Sequence, residues 1–279
     1  MKTFLIKLFK NLSSGLATVV IPLSFLLSYF VYDLLLGSPS NFEGGVVGGQ
    51  PLPGNFYGII YKGGFIVIVL LAFAIILITF VVERLLVLMA AGGKGNINEF
   101  IVQIRTALDE KKIEEAKAIC DQQKGTVANV IKSGLITYAA VLHDEHMFKD
   151  QKIAAIQKNI DETANLELPV LENNLIIIST LSTIATLYGL LGTVTGIIKS
   201  FAALARVGAP DAVGLANGIS EALTTTAIGI VIGSFAVIFY NFFSSKITAI
   251  SHKIDEAEMV VVNAFNKNYS TNAENVVLN

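Results

Sequence analysis

Apolar residues along this chain gather in four runs. Asn11–Tyr32 holds no Asp, Glu, Lys, Arg or His over 22 residues, Gly63–Val82 none over 20, and Asn173–Ile198 none over 26. The 34 residues from Ala212 to Ser245 contain one charge, Glu221. A helix crosses the hydrocarbon core of a bilayer with about 20 apolar residues. Inside lipid a backbone finds no water partners, so only helices and closed barrels can span. None of the four runs alternates with the period of a barrel strand. The pattern predicts an all-α, multi-pass helical membrane protein whose long helices extend into a cytoplasmic helical domain. The first run, preceded by MKTFLIKLFK, also invites comparison with a cleaved secretory signal. Its apolar part is longer than a signal's, and no small-x-small cleavage site follows cleanly, which favours an uncleaved span. Pro22 within it is tolerable in lipid.

The segments between the runs differ in kind. Residues 37–58 contain seven Gly and three Pro in 22 positions, which predicts an irregular loop. Its GGVVGG stretch lacks the Lys-Ser/Thr ending and the strand-then-helix setting of a phosphate loop. Residues 84–172 carry 11 basic and 13 acidic residues in 89, an ordinary balance for a segment folding in water. Asn96 to Glu99 suits a helix start. Phe100, Ile101, Ile104, Ala107 and Leu108 then recur at helical spacing. A turn near Asp109–Lys112 returns the chain through Ile113, Ala116, Ile119 and Cys120. Because Cys120 falls on that apolar stripe, it reads as a buried structural thiol. Residues 126–142 also read as helix. Gln151–Ile198 reads as one long helix entering the membrane, with Pro169 as its kink.

Composition and charge sharpen this picture. The chain is 53% hydrophobic and 15% charged, with a mean hydropathy of +0.64, whereas soluble domains carry about 25% charged residues. A net charge of -2 gives no electrostatic footprint for nucleic acid. One cysteine rules out an intramolecular disulfide framework. Of the 20 basic residues, 17 lie in residues 1–10, in 84–172 or after Ser245. The exceptions are Lys62, Lys199 and Arg206. Basic loops stay inside, so both termini and the 84–172 segment are expected in the cytoplasm. The resulting organisation is an N-terminal extra transmembrane helix (1–36), a Gly/Pro-rich outer loop (37–62), a transmembrane helix (63–83), the cytoplasmic helical domain (84–172), transmembrane helices at 173–200 and 212–245 joined by a short outer loop (201–211), and a cytoplasmic tail (246–279). Tyr29, Tyr32, Tyr57 and Tyr61 gather at the expected outer surface, with Tyr240 near the inner one.

Candidate chemistry is sparse except in the last two spans. His143 and His146 are three apart and lack the i, i+4 spacing and third ligand of a zinc site, and no nucleophile elbow or Ser/His/Asp set is present. No metal, cofactor or enzymatic activity is therefore expected. The third span carries Ser179, Ser182, Thr186, Thr193 and Ser200 at intervals of 3, 4, 7 and 7, a narrow polar stripe of 3.5-residue repeat. Gly189, Gly192 and Gly196 lie beside it, and Gly192-x-x-x-Gly196 is a small-xxx-small contact motif. Two readings stay open: tight helix packing with hydroxyls bonded to their own backbone, or hydroxyls lining a hydrated path. In the fourth span Pro210-Asp211 suits an N-terminal turn. Glu221 follows ten residues on, about 15 Å along a helix. A charge at that depth costs roughly 2.5–3.5 kcal/mol on insertion scales. With no basic residue deep in any span, Glu221 reads as a group that holds or relays a proton, against the alternative of a protonated contact to a neighbouring helix. Thr225 shares its face, followed by the small-xxx-small pair Gly229 and Gly233.

Leu187-Tyr-Gly-Leu-Leu-Gly-Thr-Val-Thr-Gly-Ile-Ile198, followed by Gly218-Ile-Ser-Glu-Ala-Leu-Thr-Thr-Thr-Ala-Ile-Gly229, resembles the MotA/TolQ/ExbB proton-channel family and is most similar to its ExbB members. Glu83-Arg84 at the end of the second span also fits, and the resemblance covers residues 60–250. It implies a homo-pentamer in a bacterial inner membrane, enclosing a dimer of an ExbD-like single-span protein. It further implies that proton flow drives motion passed to a TonB-like energy transducer serving outer-membrane transport. A TolQ-like or gliding-type stator is the alternative load, and sodium stays open beside protons as the coupling ion. Carried over by motif, Thr193, Glu221 and Thr226 match pore-associated positions. A helical wheel instead favours Thr225, with Thr226 about 140° round from Glu221. The extra first span and Gly-rich loop depart from the family's usual three spans with an external N-terminus.

Overall fold

The computed structural model describes residues 15–142, 144–205 and 211–277, with side chains through Tyr269. Lys2, Lys7 and Lys10, the start of the first apolar run, His143, Arg206 and Pro210 lie outside those residues. Among the described residues the fold is all-α. In chain order the helices are α1 Leu16–Phe30, α2 Phe56–Tyr61, α3 Gly64–Ala91, α4 Ile97–Asp109, α5 Ile113–Gln123, α6 Gly125–Leu142, α7 Lys149–Glu172, α8 Leu175–Leu204 and α9 Ala212–Val277. The chain divides into two compact units, Met1–Glu83 with Asn174–Phe242, and Arg84–Asn173 with Phe243–Asn279.

Among the described residues, five segments are long and apolar enough to cross a membrane: Leu16–Leu36, Gly64–Ala91, Gly125–Leu142, Lys149–Leu204 and Ala212–Tyr269. That is one more than the four charge-free runs. The addition is α6, whose apolar residues Val127, Val130, Ile131, Leu135 and Tyr138 are buried within the second unit. It also carries Lys132, 2.5 Å from Asp121.

In the first unit α1 continues through Pro22 and ends in a π-helical turn, Val31–Leu36. Phe25 meets Phe73 of α3 edge to face at 6.4 Å, and Phe73 meets Tyr188 of α8 at 5.3 Å. Residues 37–62, expected to be irregular, form a built segment. Asn41 Nδ2 donates to the Leu35 and Leu36 carbonyls at 2.8 and 2.9 Å, and its Oδ1 accepts from Asn55 Nδ2 at 3.1 Å. Asn55 in turn caps α2 by accepting from the Tyr57 and Gly58 N–H groups. Tyr61 stacks on Tyr32 at 4.6 Å and meets buried Phe42 edge-on at 5.3 Å. Glycines here supply turns, while two asparagines and three aromatic rings supply the order that composition hides.

The second unit is a helical bundle with a large-residue core. Asn96 Oδ1 accepts from the Asn98 N–H at the start of α4, and the five apolar residues of that stripe are all buried. Lys111, at φ 59°, lets the chain reverse. Ala116 and Cys120 of α5 are buried, with Ile113 and Ile119 half-buried. Burial pushes the Cys120 thiol up to about 12, so it stays neutral. The later part of α9 completes this core with Ile250, Ile254, Val261 and Phe265. Asn268 Nδ2 donates to the Leu108 carbonyl at 2.9 Å and to Tyr138 Oη at 3.1 Å. The helix that the sequence separates into a span and a tail at 245/246 is thus continuous.

The long helix expected over 151–198 is broken. The interruption falls at Asn173 (ψ 142°) and Asn174 (φ 63°), not at Pro169, which sits inside α7. Asparagine tolerates the left-handed region better than most residues, whereas Pro169 removes one donor without forcing the chain out of line. Arg84 compensates near this end of α7, donating from Nη1 to the Leu171 carbonyl at 3.0 Å and the Val170 carbonyl at 3.4 Å.

Candidate functional site

Helices α8 and α9 meet along a seam of small residues. The buried stripe of α8 runs Ala185, Gly189, Gly192, Gly196, Ser200 and Ala203, a spacing of three or four that keeps one face toward α9. The five glycines singled out by the sequence all lie on this seam. A Cβ at Gly189 would stand 3.2 Å from the Gly229 Cα, one at Gly196 2.5 Å from the Gly218 carbonyl, and one at Gly229 2.6 Å from the Ala185 carbonyl. One at Gly233 would stand 2.5 Å from Thr186 Oγ1, and one at Gly192 would collide with the Thr225 side chain. Side chains here would force the backbones apart.

The hydroxyls divide along the seam. Ser182 donates to the Ser179 carbonyl, Thr186 to the Ser182 carbonyl, and Ser200 to the Gly196 and Leu215 carbonyls. Thr225, wholly buried, donates to the Glu221 carbonyl at 2.8 Å and the Ala222 carbonyl at 3.1 Å. Thr193 and Thr226 bond each other across the two helices. Thr226 Oγ1 also donates to the Gly189 carbonyl at 3.0 Å. The structure therefore brings Thr193 and Thr226 together, and it puts Thr225 one turn from Glu221 on the same buried face. Among the described residues no group of three or more His, Cys, Asp or Glu side chains is placed to hold a metal.

Glu221 is 7% exposed and has a cationic partner. Lys199 Nζ donates to Oε1 at 2.6 Å and to Oε2 at 2.7 Å. This corrects the expectation that no basic residue reaches Glu221. Lys199 falls just past the third charge-free run, at the end of the span expected over 173–200. Side chains on a helix tilt toward its N-terminus. On two antiparallel helices, Lys199 of α8 and Glu221 of α9 therefore lean toward each other. Glu221 is nine residues into α9, about 14 Å along the axis, and the lysine's four-carbon stem spans the remaining offset. Two further groups approach the carboxylate. A Cβ at Gly64, the first residue of α3, would stand 3.1 Å from Oε1, so the backbone at that N-terminus, with its positive end of the helix dipole, faces the charge. The Tyr32 phenol is within electrostatic reach and donates to the Tyr61 carbonyl at 3.0 Å. Lys199, Gly64 and Tyr32 were missed in the sequence because they come from three other elements. Only the tilt rule applied to Lys199 offered a signal.

A buried carboxylate in a glycine seam between two apolar helices is what the sequence motifs had pointed to, and residues 122–256 match the model of the MotA/TolQ/ExbB proton channel family. The matched residues, just under half of the chain, resemble the members of that family. An ExbB-like biopolymer transport protein of Synechocystis sp. is 25% identical over 185 residues, covering 66% of this chain and 82% of the relative. The Tol-Pal system protein TolQ of Pseudomonas aeruginosa is 28% identical over 155 residues, 55% of this chain and 67% of the relative. The biopolymer transport protein ExbB of Pseudomonas putida is 35% identical over 86 residues, which is 31% of this chain and 26% of the relative. That likeness, together with the long apolar helices, supports a membrane proton-channel protein. Glu221 and the α8–α9 seam, with Thr193, Thr225 and Thr226, lie within the matched residues.

Proposed function

We propose that this chain is the ExbB-like subunit of a proton-driven motor in a bacterial inner membrane. Five copies surround a pore that holds an ExbD-like single-span partner, and the output passes to a TonB-like transducer that energises outer-membrane transport. Both termini and residues 84–172 face the cytoplasm, with 37–62 and 201–211 on the periplasmic side. In this arrangement α6 belongs to the cytoplasmic bundle and the remaining four apolar segments span. The observation that carries the reading is Glu221, a carboxylate buried within a helix long and apolar enough to span, in a seam where every neighbouring hydroxyl already has a partner. One charge moving through 100 mV releases about 2.3 kcal/mol, which a pentamer converts to movement if protons pass only through the occupied pore. Thr193, Thr225 and Thr226 line the route beside Glu221. The length of the TolQ match, 55% of the chain, supports a second load, a Tol-type complex with the same ion chemistry.

Two measurements test this. Purification with a neighbouring small single-span protein, followed by native mass, should give five copies of this chain with that partner; an isolated monomer would overturn the assembly. Glu221→Gln preserves shape and removes titration. Proton-driven uptake should then be lost, and retention of full uptake would remove Glu221 from the proton route. The transducer that co-purifies separates the TonB-type load from the Tol-type one.

A further inference from the structure

We infer that Lys199 is a specificity-determining residue whose ammonium occupies the cation position at Glu221 and thereby restricts coupling to protons. The inference deepens the motor reading above and rests on it.

The geometry carries the argument. Lys199 Nζ lies 2.6 and 2.7 Å from the two carboxylate oxygens, so one ammonium engages both oxygens at once. A sodium ion binding this carboxylate would need the same oxygens and several more. On the opposite side Gly64 faces Oε1 across a gap that a single added carbon would nearly fill, at 3.1 Å from the oxygen. The nearby hydroxyls are held in place by the bonds they donate: Thr225 to the Glu221 and Ala222 carbonyls, Tyr32 to the Tyr61 carbonyl, and Thr193 and Thr226 bonded to each other. Sodium could enter only by taking both oxygens from the Lys199 ammonium or by sitting beside it, where two positive charges repel.

A proton meets no such obstacle. It forms an O–H bond on one carboxyl oxygen and neutralises it. The ammonium keeps its own three protons, loses its ion-pair partner and moves outward. Its side chain is already 58% exposed against 9% for that of Glu221, so little desolvation opposes the swing. When the proton leaves, the carboxylate recaptures the ammonium. The tether thus works as a built-in counter-cation that protonation displaces and a metal ion cannot.

The test uses the complete complex with its single-span partner in vesicles, with sodium chloride as the probe. Wild type should carry protons and take up no radioactive sodium under a sodium gradient. Lys199→Gln should become sodium-responsive, with sodium competing at the carboxyl about tenfold or more better, the factor that follows from relieving about 1.4 kcal/mol of repulsion. Lys199→Arg, which keeps the charge, should remain proton-only. Proton flux through Lys199→Gln with no response to sodium, or sodium uptake by wild type, would overturn the inference. A second measurement needs no variant: carbodiimide labelling of Glu221 in the wild-type complex, with and without sodium. Labelling unaffected by sodium is expected, and protection by sodium would overturn the role of Lys199. If wild type carries neither ion, the motor reading fails, while the labelling result still decides whether Lys199 keeps sodium off Glu221.

Discussion

The two compact units solve the problem of packing helices in opposite ways. In the first, α8 and α9 approach through glycines until backbone nearly touches backbone, and hydroxyls bond to carbonyls across the gap. In the second, α4 to α7 and the later part of α9 interlock through large side chains, with Ile104, Leu108, Ile131, Leu135, Tyr138, Ile156, Ile160 and Phe265 fully buried. Lipid tails are as apolar as leucine, so burying leucine against leucine gains little between helices in a membrane. Close contact and internal hydrogen bonds remain. In water the apolar area removed from solvent dominates, at roughly 25 cal/mol per Å². In the arrangement proposed above, the first unit packs in lipid and the second in water, and each uses the force available there.

That contrast can be broken at either end. Gly196→Leu should have the largest effect, because its side chain would be driven into the Gly218 carbonyl and Ala222. Loss of the assembled complex in native mass is expected, and normal assembly would show that the seam tolerates separation. Phe265→Ala removes a ring that meets Tyr138 edge-on at 4.9 Å. It should destabilise the second unit by about 3–5 kcal/mol, read as faster hydrogen exchange in residues 97–142 with exchange in α8 unchanged. Equal loosening of both regions would mean they are not energetically separate. The smallest effect is chemical. Burial raises the Cys120 thiol to about 12, far above its unfolded value, so the neutral form is fully populated below the unfolded pKa and deprotonation waits until pH rises toward the folded one. Maleimide should label Cys120 slowly at neutral pH and rapidly once the second unit is unfolded; fast labelling of the folded protein would contradict its burial.

Legibility from the sequence followed the range of the interactions involved. Charge-free runs and the Phe100–Leu108 stripe depend on local periodicity, and within the described residues helices occupy most of each. The glycines of α8 and α9 announced close packing by spacing alone. Lys199 was hidden because its partner lies 22 residues away on another helix, and because a charge near the end of an apolar run is normally assigned to the interface. The order of residues 37–62 was hidden behind glycine content, since its hub is one asparagine contacting carbonyls five and six residues earlier. Proline drew attention to position 169, yet the chain turned at Asn174, where the side chain permits a left-handed backbone.

The tip of that same segment carries a practical opportunity. Gly54 has a positive φ of 78° and no neighbour within 4 Å of where a side chain would begin, while Asn41 and Asn55 close the base beneath it. A short epitope spliced in at Gly54 would enter the turn that the Asn55 N–H closes on the Leu52 carbonyl at 2.9 Å, where no side chain crowds it. Antibody access to it in intact versus opened cells would report directly which compartment the insertion faces.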